Sequence, residues 1–184
     1  MSILPIVTYN DPILRKETEA IEELTDEIKT FIENMFETMY NSDGVGLAAP
    51  QVGSSMSIFV LDADAMLEEG EPALGPLAFI NPEIVEYSGE KIPMDEGCLS
   101  IPLVTDKVSR PESIVIKYLD QNFNERENEF SGWVSRVIQH EYDHLKGVLF
   151  IDYLSAFRRR MHKSDLKEIE NGERDTNYPL VPKE

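Results

Sequence analysis

The chain has 184 residues, 41% of them hydrophobic, with 17 basic against 35 acidic side chains and a formal charge of -18 at pH 7. That length suits one domain with a sizeable core, and no apolar run reaches the length of a membrane span, so no transmembrane helix and no membrane partner are expected. The negative field repels phosphate backbones and argues against general nucleic-acid binding, and the single cysteine excludes an intramolecular disulfide.

In chain order, Met1 to Pro5 shows no basic segment followed by a long apolar one, so a signal peptide is not expected and a cytoplasmic, reducing compartment fits. The first twenty-odd residues read as extended, because Pro5 and Pro12 oppose helix. From Thr25 to Tyr40, Ile28, Phe31, Ile32, Met35, Phe36 and Met39 fall at helical spacing, with Thr25 or Asp26 able to cap. Gly44 to Gly53 is a glycine-punctuated loop, and Met56 to Leu61 reads as a buried strand. Residues 65–76 are an acidic surface excursion, broken by Gly70, Pro72, Gly75 and Pro76.

Phe79 to Tyr87 and Ser113 to Leu119 are further strands, the latter joined through a turn at Asp120 to Asn124 to a polar strand. Ser131 can cap a helix that runs to Gly147. After Leu154 a helix reaches about Ile169, and Gly172 to Glu184 reads as a loose tail. Within that helix, Arg158-Arg159-Arg160 reads as a solvated face, and His162, beside Lys163, as a surface residue. Strands precede the late helix without alternating with helices, which predicts an α+β fold.

The chemistry concentrates in Gln139-His140-Glu141-Tyr142-Asp143-His144, which contains H-E-x-x-H. On a helix, His140 and His144 lie about 40° apart and can reach one ion. Glu141 sits about 60° beyond His144, angled to address a water beside the ion rather than to ligate it. It stands in an apolar stripe with Val134, Ile138 and Leu145, where a carboxylate needs compensation that a dication would give.

A catalytic ion usually has three protein ligands. One zinc-peptidase pattern would place a third histidine where Phe150 stands, so that pattern fails. Glu168 is a formal candidate in solvated surroundings. Cys98 is another, although a lone cysteine is more often a small buried hydrophobe than a ligand.

Three separated segments resemble the signature motifs of the peptide deformylase family, in the family's order: Gly44-Val45-Gly46-Leu47-Ala48-Ala49-Pro50-Gln51, Glu96-Gly97-Cys98-Leu99-Ser100, and Gln139 to His144. The resemblance implies hydrolytic removal of the formyl group from N-formylmethionyl nascent polypeptides, with release of formate. It implies that Cys98, His140 and His144 bind one ion per chain. Fe2+ is the ion expected in the cell, and Zn2+, Ni2+ or Co2+ can replace it in purified protein. Glu141 would handle protons, and Gln51 with the Leu99 amide would stabilise the oxyanion. Gly46 would offer its backbone to the substrate, while Trp133 and Val137, with Gly44 to Leu47 opposite, would form the methionine pocket. Arg110 would pair with Glu96 in support of the cysteine loop.

The resemblance further implies antiparallel or mixed sheets packed around a central H-E-x-x-H helix, with a C-terminal helix. It implies a single domain over residues 1–184, its core at about 3–155 and a C-terminal helix and tail at about 156–184. Nascent N-formylmethionyl polypeptides are the expected partner, and a transient contact with the ribosome is compatible with it. The chain departs from the family at Leu103, where many members carry glycine or a polar residue, and this bears on the pocket rim. Two other readings compete: a zinc peptidase acting within peptides, which leaves the first two segments unexplained, and a non-catalytic metal-binding homologue, which needs neither Glu141 nor Gln51.

Overall fold

The Thr25 hydroxyl accepts a hydrogen bond from the Ile28 amide at 3.3 Å and starts α1 (Asp26–Asn41), whose Ile32, Met35 and Met39 are buried. There follow β1 (Gly46–Ala48), β2 (Ile58–Leu61), β3 (Leu77–Cys98), β4 (Ile101–Leu119), β5 (Glu125–Ser131), α2 (Gly132–Leu145), α3 (Ala156–Met161) and α4 (Lys163–Glu170). The computed structural model describes residues 2–183. Each strand pairs antiparallel with the next, giving one sheet in the order β1-β2-β3-β4-β5. This is the expected α+β architecture. Among the described residues no helix is long and apolar enough to cross a membrane.

The alternation of β2 explains how the sheet holds two helices. Phe59 and Leu61 join the cluster around Val134, Val137, Ile138 and Leu145 of α2, while Ile58 and Val60 join Met35 and Met39 of α1. Phe59 stacks on Phe79 with ring centroids 4.6 Å apart. Burying each such side chain contributes about 2 kcal/mol. α2 is thereby fixed along one face, which sets where its histidines point.

β3 and β4 extend well beyond the strands expected at 79–87 and 113–119. Prolines and glycines there read as breaks, yet the ladder absorbs them. Pro82 falls in the register shift between Ile80 and Glu83, and other shifts lie between Ser88 and Lys91 and between Gly97 and Cys98. The long hairpin ends with Cys98 opposite Ile101, so the cysteine sits at the tip of a rigid ribbon.

Four local expectations are corrected. Ser131 precedes α2, but its side chain makes no capping bond. The single helix after Leu154 is two short ones meeting at His162, which is not a free surface residue: its Nε2 lies 2.8 Å from Asp106 Oδ2, and Arg158 Nε donates to the same carboxylate at 2.8 Å. Nor is the C-terminal tail loose. Ile6 N–H donates to the Pro179 carbonyl at 2.9 Å and Val181 N–H to the Ile6 carbonyl at 2.8 Å, which ties the two ends together. Met1 and Glu184 lie outside the described residues.

Candidate metal centre and active site

α2 stacks His140 and His144 one turn apart, with ring centroids 5.1 Å apart and planes at 76°. The hairpin tip brings Cys98 to them, its Sγ 3.4 Å from His144 Nε2. One ligand atom from each of the three residues lies within 4.8 Å of the others. Metal–nitrogen and metal–sulfur bonds of about 2.0–2.3 Å place ligand atoms about 3–4 Å apart, so this set fits one ion. Two nitrogens and a sulfur suit Zn2+ or Fe2+ rather than Mg2+ or Ca2+. Phe150, in the place of a third histidine, is buried and stacks against His140 at 6.3 Å.

The second ring nitrogen of His140 is committed. Nδ1 lies 2.9 Å from Glu96 Oε1, so a proton held there donates to the carboxylate and leaves Nε2 for the cluster. Glu96 is the hub beneath the site. It accepts from Arg110 at 2.6 and 2.9 Å and from Arg136 at 2.8 Å. Burial pushes its carboxyl up, but the bonds from His140 and Arg110 prevail and hold it well below the usual carboxylate range. Arg110 also donates to Asp143 at 2.7 Å, and the Tyr153 hydroxyl donates to the same carboxylate at 2.8 Å. The sequence alone does not mark Arg136 and Asp143 as site residues. Arg136 lies four residues before His140, and an arginine on the histidine stripe was the available signal.

Glu96→Ala removes the carboxylate shared by two buried guanidinium groups, leaving Arg110 only Asp143 and Arg136 only backbone carbonyls, and is expected to destabilise the fold by about 3 kcal/mol in a denaturant titration. The folded carboxyl lies below its unfolded value of 4.5, so this contribution is complete above that pH and fades as pH falls below it. A loss under about 1 kcal/mol at pH 7 would show that the hub does not hold the two elements together.

Glu141 is 4% exposed, and its Oε2 has no hydrogen-bond partner; neither has His144 Nδ1. Burial pushes the Glu141 carboxyl up to about 7. A methyl group on Gly46 would come within 2.6 Å of Glu141 Oε1, so β1 approaches the carboxylate as only glycine allows. Gln51 sits in a 3-10 turn (Ala49–Val52), where its Oε1 accepts from the Ala48 amide at 2.8 Å. That bond orients the side-chain amide, and Nε2 reaches Cys98 Sγ and Ser100 Oγ at 3.4 Å each.

A cleft of about 460 Å³ opens over these groups. Gly44, Val45, Gly46, Leu99, Trp133 and Val137 line it, as do the cysteine and His140. Leu47 does not: it is fully buried in the cluster with α1, because alternation along β1 turns it from the cleft. Met66, from the acidic excursion, and Tyr178, from the tail, also line the cleft. Neither carried a local signal, since each arrives through a long-range contact. Leu103 stands at the rim with φ 62 and 76% exposure, a backbone conformation that glycine adopts without strain.

The model of the polypeptide deformylase family matches residues 3–160. A protein of Salinibacter ruber named peptide deformylase is 52% identical over 187 residues, covering 99% of this chain and 96% of that protein. One of Flavobacterium psychrophilum with the same name is 44% identical, covering 98% of each. The crystal structure of peptide deformylase from Ehrlichia chaffeensis in complex with actinonin is 41% identical and superimposes with a TM-score of 0.85, covering 95% of this chain and all of that one. With the ligand cluster, the adjoining carboxylate and the cleft in place, these likenesses settle the matter: the chain belongs to the polypeptide deformylase family.

Proposed function

We propose that this chain removes the N-terminal formyl group from N-formylmethionyl nascent polypeptides, with Cys98, His140 and His144 holding one ion and Glu141 carrying the protons. The observation that supports it most is the buried Glu141 carboxyl, unpartnered at Oε2, beside three ligand atoms within 4.8 Å of one another. A bound divalent ion supplies Lewis acidity at this position. We assign it as Fe2+ in the cell, with Zn2+, Ni2+ or Co2+ able to replace it.

Glu141 takes a proton from the attacking water and returns it to the leaving amine. Burial raises this carboxyl and a bound dication would lower it, and such opposed influences suit both directions of transfer at neutral pH. Gln51 Nε2 and the Leu99 amide donate to the oxygen on which negative charge develops. The Gly46 backbone lies beside the substrate chain, and Val45, Trp133 and Val137 receive the methionine side chain. We place the activity in the cytoplasm, where nascent chains are made, read the chain as a single domain, and regard ribosome contact as transient.

A formyl carbon carries only hydrogen on its acyl side, whereas an acetyl group adds a methyl that must fit against Gly46 and Glu141. Formyl-Met peptides are therefore expected to release their acyl group at least about a hundredfold faster than acetyl-Met peptides, in the upper part of the range that one extra carbon supplies in a fitted pocket. Formate and acetate release from matched peptides measures this, and comparable turnover of both would overturn the tight site.

A further inference from the structure

The two-residue turn between Cys98 and Ile101 is held from three sides. Tyr9 N–H donates to the Ser100 carbonyl at 2.9 Å, and Gln51 Nε2 reaches Ser100 Oγ. The third hold comes from the far end of the chain: the Tyr178 hydroxyl donates to the Leu99 carbonyl at 2.8 Å. Tyr178 packs with Leu99 in the cluster around α1 and also lines the substrate cleft. Its neighbours keep it there. Asn177 Nδ2 donates to Asp43 Oδ2 at 3.1 Å, across the loop that leads into β1, and Pro179 and Val181 are tied to Ile6. The tail thus touches both walls of the cleft, the Asp43–Gly46 side and the Leu99 side.

We propose that the C-terminal tail is a working part of the substrate pocket: Tyr178 is a positioning residue that fixes the Leu99–Ser100 turn, and its ring walls the path of the peptide beyond methionine. This rests on the reading of the Leu99 amide as an oxyanion donor. The hydroxyl and the ring divide the work. The hydroxyl, by holding the Leu99 carbonyl, limits rotation of the turn that carries the Leu99 amide, so it acts on the rate of the chemical step. The ring, facing the cleft, acts on the binding of residues after the first.

The test compares Tyr178→Phe and Tyr178→Ala with wild type, using formate release from formyl-Met-amide and formyl-Met-Ala-Ser and metal per chain on the same samples. Tyr178→Phe keeps the ring and removes one hydrogen bond. It is expected to lower kcat about 3- to 10-fold on both substrates, the range one hydrogen bond supplies, with KM and metal unchanged. Tyr178→Ala is expected to add a rise in KM of about 5-fold or more for the tripeptide, and much less for the amide. A merely structural tyrosine would change thermal stability without this split between kcat and KM. Values of kcat and KM within twofold of wild type in both variants overturn the proposal, and so does loss of metal in step with kcat. If Tyr178→Ala does not fold, Tyr178→Phe decides alone. A Glu141→Gln control separates the two claims: if it is inactive while the Tyr178 variants match wild type, the tail proposal fails and the site reading stands.

Discussion

Glu141→Gln is expected to keep its metal and to lose at least about two orders of magnitude in formate release, the scale on which general acid–base catalysis acts. The substitution preserves the side chain's size, so Gly46 still packs against it, but the amide cannot accept a proton. A second consequence concerns the metal-free protein. The folded Glu141 carboxyl lies near 7, above its unfolded value of 4.5, so the folded state keeps a proton that the unfolded chain gives up between those values. The Glu141 contribution to metal-free stability therefore falls as pH rises from 4.5 to about 7, by an amount on the order of 3 kcal/mol. Glutamine has no such loss. The metal-free variant should gain on metal-free wild type across this window and hold the gain above it. Paired denaturant titrations at pH 4.5 and pH 8 measure the difference, and an equal gap at both would mean that Glu141 is not buried as a carboxylic acid.

His144→Ala is expected to act first on metal content. It removes one of the three proposed ligands and leaves Cys98 and His140, so affinity should fall by more than about 100-fold, beyond the loss typical of a group that only supports a ligand. Formate release should fall with it and should not recover at ordinary metal concentrations. The fold should suffer too, because an ion held by the proposed ligands would tie the α2 helix to the tip of the β3–β4 hairpin, and binding energy at such a site is also folding energy. Thermal melts with and without a chelator show this as a large shift in wild type and almost none in the variant. A chelator-sensitive melt in His144→Ala would place the ion elsewhere.

The α2 site was legible because its chemistry repeats with the period of a helix: His140, His144 and Glu141 fall where their spacing requires. The ribbon that delivers Cys98 was not. Pro82, Gly89, Pro93 and Pro102 signal breaks locally, and only pairing along the whole hairpin outweighs them. The role of Cys98 therefore came from the resemblance and not from its own surroundings. Arg136 gives only a weak signal from its place on the histidine stripe, because an arginine on a helix reads as solvated until Glu96, forty residues earlier, is seen to accept from it. The tail was the hardest to read. Tyr178, Leu180 and Val181 are a few apolar residues interspersed with prolines, their partners Leu99 and Ile6 lie far away in sequence, and no local pattern announces such contacts.

Metal per chain by elemental analysis, beside formate release from a formyl-Met peptide, on protein purified without air, tests the division between ligand and proton carrier most directly. Wild type should carry one ion, with iron predominant, and be active. Glu141→Gln should carry one ion and be nearly inactive, and His144→Ala should lack both. Full activity in a metal-loaded Glu141→Gln, or activity in metal-depleted His144→Ala, would contradict the account.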